Sequence, residues 1–239
     1  MSRILLVRHA QASFLDPDYD KLSPTGETQA RLLGEYWASR SIAFDRVYSG
    51  PRVRQIDTAK IVAAICMRWG VAFPEPAVMQ EFDEYQGEDV LRKSVPELLK
   101  TDSRIRDFHG AFQSAVTSEG KRKTFQRMFE AVVAKWVDGE IPLPDVESWP
   151  EFCARVNRGL SKLMSSNVRG ERVVIFSSGG PIGVAMQRAL NLSPRDTLRV
   201  TWMSLNCSYS EFLCSGGRFT LSAFNAFPHL DDPSLLTYR

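Results

Sequence analysis

Ile4-Leu5-Leu6-Val7-Arg8-His9-Ala10 is the stretch from which the fold can be read. Four consecutive apolar residues predict a strand buried on both faces, as in the middle of a parallel sheet. An arginine and a histidine follow at its C-terminal end. Open α/β sheets collect their ligands at the carboxyl ends of the strands, so an anion binder and a nucleophile stand where chemistry is expected.

The segments on either side alternate in the same manner. Ser23-Pro24 has the form of a helix N-cap followed by proline at the first helical position, and Ala30, Leu33 and Trp37 continue on one helical face. Phe44 to Tyr48 reads as a second short strand. Gly50-Pro51 opens a helix striped by Ile56, Ala59 and Ala63, and Gly70 to Phe73 reads as a third strand. Further on, Ser148-Trp149-Pro150-Glu151 has the form of a capping box ahead of Phe152, Val156, Leu160 and Leu163. Arg172 to Phe176 is the clearest strand of all. It runs into Ser177-Ser178-Gly179-Gly180-Pro181 and then a helix through Ala189. Ser208 to Cys214 and Arg218 to Phe224 flank Ser215-Gly216-Gly217 and predict an antiparallel hairpin at the sheet edge.

This alternation predicts an α/β fold: a three-layer α/β/α sandwich with a mostly parallel central sheet and an antiparallel edge strand. From about 87 to 146 the sequence turns helical and charged, without a convincing strand. The expectation is one domain over 1–239, with a helical insertion at about 87–146 that shapes the substrate pocket. Lys121-Arg122-Lys123 within it reads as a solvated face.

A formal charge of +2 gives no reason to expect a nucleic-acid partner. No apolar run approaches membrane-spanning length, and the four residues before Arg8 are too few for a signal peptide. Cys66, Cys153, Cys207 and Cys214 form no CxxC pair and no metal-ligand spacing, as in a reducing compartment. The chain reads as cytoplasmic, with neither membrane nor nucleic acid as partner and its oligomeric state open.

Three more segments belong beside Arg8 and His9. Arg54 follows the second strand, within the first turns of its helix; it reads either as a surface arginine or, with Arg8, as one of two guanidiniums that would clamp a phosphate bidentately. Glu81 and Glu84 follow the third strand, and either supplies a proton. The turn at Ser177 to Gly180 offers hydroxyls, unpaired N–H groups and a helix N-terminus, the makings of an anion seat.

Assembled in this order, the motifs resemble those of the histidine phosphatase superfamily, the phosphoglycerate-mutase-like proteins. Arg8-His9-Ala10 is similar to its Arg-His-Gly signature, with alanine for glycine. Leu22-Ser23-Pro24-Thr25-Gly26 with Gln29-Ala30, and Ser49 to Ala59 with Arg54 and Thr58, resemble its next two motifs. Met79-Gln80-Glu81-Phe82-Asp83 resembles its acidic motif, favouring Glu81 as proton donor with Glu84 as rival. Glu147-Ser148 followed by Phe152 and Arg155 resembles its late helix.

The resemblance implies a phosphatase that acts on a small phosphorylated substrate without metal or cofactor. His9 would attack phosphorus in line and form a phosphohistidine for water to hydrolyse. Arg8 and Arg54 would neutralise the equatorial oxygens, and Glu81 or Glu84 would protonate the leaving oxygen and activate water. Ser178 stands where the family has a second histidine, and Gly179 follows it. Serine donates a hydrogen bond but carries no positive charge, and this favours an alternative: a degenerate member that binds a phosphorylated ligand without turnover. The early loop also departs, at Ala12 and Leu15, where Gln11 and Ser13 are the candidate polar contacts. A mutase is less favoured, since it must shield the phosphoenzyme from water. His229 reads as a structural histidine of the tail, with a fold-back over the site as the alternative, and His109 lies in the insertion. Ser178 as an α/β-hydrolase nucleophile is set aside: that turn needs glycine two residues earlier, where Phe176 stands.

Overall fold

The computed structural model describes residues 1–13, 20–166 and 168–238. In chain order, β1 (Ser2–Arg8) leads to α1 (Pro24–Ser39), β2 (Arg46–Ser49), α2 (Val53–Arg68) and β3 (Ala77–Val78). A 3-10 turn at Gln80–Phe82 precedes α3 (Gly87–Thr101), α4 (Ser103–Ser114) and α5 (Ser118–Val137). Then come α6 (Trp149–Ser165), β4 (Arg172–Ser177), α7 (Gly179–Leu190), α8 (Pro194–Met203) and the hairpin β5 (Tyr209–Ser215) and β6 (Arg218–Ala226).

The six strands form one sheet in the order β3-β2-β4-β1-β5-β6. Ile4 to Val7 are buried because β1 lies inside this sheet, parallel to β4 and antiparallel to β5. Alternate residues serve opposite layers, as the pleat requires. Leu5, Val7, Val47, Val174 and Phe176 pack against Leu33 and Trp37 of α1 and Val62 and Cys66 of α2. Ile4, Leu6, Val173 and Ile175 are fully buried on the other face, where α7 packs on β1 and β6. The protein is a three-layer α/β sandwich, mostly parallel with an antiparallel edge, as expected.

Two sequence expectations need correction. Gly70 to Phe73 is not a strand: Gly70 turns the chain at the end of α2 with φ +75°, and Phe73 packs into the core from a loop. The partner of β2 is Ala77–Val78, reached only after that loop. Helix α2 starts at Val53 instead of Gly50-Pro51, with Arg52 as its N-cap.

The chain forms two compact units. The first comprises Met1–Glu84 and Ala154–Arg239, and contains the whole sheet. The second is Tyr85–Cys153. Its apolar centre is aromatic: Tyr85 stacks on Trp136 at 5.4 Å, and Trp149 meets Trp136 and Phe152 at 5.8 and 5.6 Å. Its charged helices join through Lys135, which pairs with Asp102 and Glu140 at 3.1 and 2.9 Å. Of the Ser148 capping box the return contact is present, with Glu151 accepting from the Ser148 N–H and hydroxyl.

Candidate active site

Register brings the first residues of the site together. Arg8 of β1 is paired with Ser177 of β4, and the next amide, His9 N–H, donates to Ser177 O at 2.7 Å. His9 and Ser178 therefore leave adjacent strands side by side at the carboxyl edge of the sheet. The His9 ring is buried. Its Nδ1 lies 2.7 Å from Ala10 O, and its Nε2 lies 3.2 Å from Arg54 Nε. A carbonyl only accepts and a guanidinium only donates, so the proton is on Nδ1 and a lone pair is exposed on Nε2. Burial first, then the Arg54 and Arg8 charges, holds the imidazole well below its usual pKa, against a smaller opposing effect of Ala10 O. His9 is neutral at neutral pH.

Arg54 is placed by the first turn of α2, and Thr58 one turn later fixes that helix to the His9 loop. The Thr58 hydroxyl donates to Arg54 O at 2.6 Å and accepts from Ala10 N at 3.0 Å. Arg54 Nη1 pairs with Asp20 Oδ1 at 2.5 Å, while Asp20 Oδ2 accepts from Val53 N at 2.9 Å. One carboxylate thus occupies both the arginine and the N-terminus of its helix, where anions are favoured. The Arg8 guanidinium is held by backbone carbonyls, and its charge acts on His9. It donates to the carbonyls of Ser204 and Tyr238, the latter at 2.6 Å.

Ser178 is fully buried and caps α7, which Gly179 opens. Its Oγ accepts from Gln55 Nε2 at 2.7 Å. The Gln55 amide is in turn fixed by Arg52 N–H, which donates to Oε1 at 3.1 Å. Gly50 makes room for this amide: a Cβ there would lie 2.1 Å from Gln55 Oε1.

The two candidate proton donors separate cleanly. Glu84 Oε2 accepts from Gly180 N at 3.3 Å, in the first turn of α7 beside Ser178. Glu81 instead packs its Cβ against Gly159 of α6 and pairs with Lys162 at 3.2 Å. Its own backbone N–H, with the Lys162 ammonium, holds the Glu81 carboxyl below its ordinary range, although burial opposes this. The structure thus sets the Glu81 carboxylate against α6, where the 3-10 turn Gln80–Phe82 directs it. Glu84 is the carboxylate brought to the site.

Gln11 and Ser13 hold the early loop together. Gln11 Oε1 accepts from the Ser23 hydroxyl at 2.8 Å, and Ser13 Oγ donates to Leu22 O at 3.2 Å. A Cβ on Gly26 would sit 2.1 Å from Gln11 O, so the Ser-Pro-Thr-Gly turn needs glycine for this approach. Leu15 lies outside the described residues. Gln29, fully buried, accepts from Gln11 N at 2.8 Å and donates to Leu235 O and Thr237 Oγ1. Thr237 donates to Asn206 Oδ1, and Asn206 Nδ2 donates to His9 O at 3.2 Å. His229 packs with its ring 6.2 Å from Tyr36 of α1, a place in the core. His109 is on α4 in the second unit, and Lys121 to Lys123 are exposed on α5.

Asp20, Gln55 and Asn206 escape sequence reasoning. Each is a single polar residue with no spacing to mark it, recognisable only once the fold sets it beside Arg54, Ser178 or His9. Among the described residues, no cluster of three His, Cys, Asp or Glu side chains could hold a metal ion. No helix is long and apolar enough to cross a membrane among these residues.

The sequence pattern of the histidine phosphatase superfamily, branch 1, matches residues 4–109 and 89–226. No curated protein matches the chain by sequence. Among solved structures, it is similar to a phosphoserine phosphatase of Entamoeba histolytica in complex with phosphoserine. That likeness has a TM-score of 0.62 and 18% identity, over 96% of this chain and 100% of that one. A putative alpha-ribazole-5'-P phosphatase of Escherichia coli gives 0.64 and 16%, covering 94% and 96%. The mycobacterial glucosyl-3-phosphoglycerate phosphatase gives 0.60 and 18%, covering 94% and 98%.

Proposed function

The chain belongs to the histidine phosphatase superfamily, and on that premise we propose that it hydrolyses a small phosphomonoester, without metal, through a phosphohistidine on His9. One observation carries the proposal: the His9 ring has its proton on Nδ1 and presents Nε2, unprotonated, to the Arg54 guanidinium. A nucleophile and a phosphate ligand meet at one point. The known solved relatives named for phosphoserine and glucosyl-3-phosphoglycerate phosphatases agree with a small phosphorylated substrate.

In the first step the Nε2 lone pair attacks phosphorus, forming the P–N bond as the P–O bond to the leaving group breaks. Arg54 turns its donors from Nε2 and Asp20 to the phosphoryl oxygens. Arg8, held by two carbonyls, acts as a fixed positive charge that keeps His9 unprotonated and favours the dianion. The Ser178 hydroxyl donates to the phosphoryl group in place of the family's second histidine. Glu84 passes a proton to the leaving oxygen; a phosphate dianion beside its carboxylate favours the protonated form, as like charges do. In the second step water attacks phosphorus, the P–N bond breaks, and Glu84 takes the water proton. Inorganic phosphate leaves and His9 regains its lone pair.

All four cysteines are free thiols, in keeping with a cytoplasmic enzyme. Hydrolysis of para-nitrophenyl phosphate by the purified protein, in the presence of a chelator, tests the proposal. Turnover is expected, and His9→Ala should remove it. Phosphate binding without turnover would instead identify a binding protein, and turnover unchanged in His9→Ala would remove His9 from the mechanism.

A further inference from the structure

Gln55 is unused by the chemistry above, yet it is fully buried between Arg54 and Ser178. We infer that Gln55 is a positioning residue, which fixes the Ser178 hydroxyl as a hydrogen-bond donor to the phosphoryl group. The inference rests on the proposed phosphatase reading and deepens it.

The direction of the contacts settles the amide. Arg52 N–H can only donate, and it meets Oε1 at 3.1 Å. Phe82 O can only accept, and it lies 3.4 Å from Nε2. The Gln55 amide therefore has a single orientation, and the group facing Ser178 is the NH2. At 2.7 Å this NH2 donates to Ser178 Oγ. An Oγ that accepts here must direct its own hydrogen elsewhere. The neighbouring hydroxyl, Ser177 Oγ, donates to Phe82 O at 2.9 Å, so that carbonyl already has its donors. On the proposed reading, the acceptor for the Ser178 hydrogen is an oxygen brought by the ligand.

Chemistry favours the same arrangement. A serine hydroxyl donates and accepts with equal ease, so alone it discriminates poorly between water and phosphate. Held as an acceptor by a fixed amide, it becomes a one-way donor, and its hydrogen is more acidic through the polarisation that runs along a chain of hydrogen bonds. Gln55 thus compensates part of what a neutral side chain loses at this position. Arg54 and Gln55 are consecutive on α2, so one helix turn sets both the cationic ligand and the orientation of the neutral one.

A double-mutant cycle tests this, reading kcat on para-nitrophenyl phosphate and, separately, vanadate binding by calorimetry. Ser178→Ala should lower kcat about 10- to 100-fold, the worth of a hydrogen bond to a charged group. Gln55→Met should lower it about 3- to 10-fold in the Ser178 protein and leave it unchanged in Ser178→Ala. Gln55→Glu keeps the acceptor for Arg52 N–H and draws the Ser178 hydrogen to itself, so it should lose at least as much as Ser178→Ala. Equal losses from Gln55→Met in both backgrounds would show that Gln55 acts only through the helix cap, and would overturn the inference. So would wild-type kcat in Gln55→Glu. If the wild-type protein does not turn over, the catalytic reading falls, while the same non-additive pattern in vanadate affinity would still uphold the role of Gln55. Additive or absent effects on that affinity would overturn it.

Discussion

At the scale of the residue, the state of one imidazole governs the site. Burial and two guanidiniums depress the His9 pKa, so the proposed nucleophile is unprotonated at neutral pH and is lost only in acid. Removing one of those charges relaxes the depression. Arg8→Met should therefore raise the His9 pKa and move the acid limb of the kcat/KM profile to higher pH; an unmoved limb would show that Arg8 serves the fold alone. On the proposed mechanism Arg54→Ala removes a direct phosphoryl ligand and should lower kcat by roughly 10²–10³. Lysine should restore little of this, because it cannot reproduce the planar fork. The carboxylates separate by leaving group. Glu84→Gln should slow alkyl phosphates, whose leaving oxygen needs a proton, far more than para-nitrophenyl phosphate, whereas Glu81→Gln, paired with Lys162, should spare both. Equal effects of the two variants on an alkyl phosphate would refute the assignment of Glu84. Part of the arrangement was legible beforehand. Arg8 and His9 stand at the end of an unbroken apolar strand, where a parallel sheet gathers ligands, and Arg54 lies in the first turn of the helix after the next strand. Where Glu81 and Glu84 would point was not legible, since three residues of 3-10 turn set Glu81 against α6 and leave Glu84 facing α7.

At the scale of the element, the local rules and the fold agree. Ser23 caps α1 as its Ser-Pro pair suggests, accepting from Gly26 N at 3.0 Å, and the same hydroxyl donates to Gln11 Oε1. Helix α1 and the His9 loop are therefore locked by one residue. Gly26 permits the approach, since any Cβ would meet Gln11 O. Gly26→Ala should lower stability by about 1–3 kcal/mol, the usual cost of overpacking against backbone. Thermal unfolding measures it, and a melting temperature equal to wild type would contradict the close approach. Strands with continuous apolar runs, β1 and β4, were readable because burial on both faces leaves an unbroken signature. Strand β3 was not, because two exposed residues on a sheet edge carry no periodicity, while the apolar Val71 and Phe73 that imitate a strand pack from a loop.

At the scale of the whole molecule, histidine burial couples stability to pH. His229 is packed near Tyr36, and burial, partly offset by the Cys207 backbone, pushes its pKa down to about 4. The unfolded chain holds an ordinary imidazole near 6.5, so it binds the proton first as pH falls. Stability from this residue is intact above about 6.5 and is lost between there and about 4, by about 3 kcal/mol in total. His9 adds to the loss in the same direction. Denaturant unfolding should show the decline, and His229→Leu should flatten it; an identical slope in the variant would contradict the assignment. The central claim concerns the reaction, and trapping the phosphoenzyme tests it most directly. The protein is mixed with a radiolabelled phosphomonoester, quenched in alkali, and the labelled peptide is sequenced. A label on His9 that survives alkali and is released by acid is the predicted result. Turnover with no label on His9, or with an acid-stable label on another residue, would contradict the account.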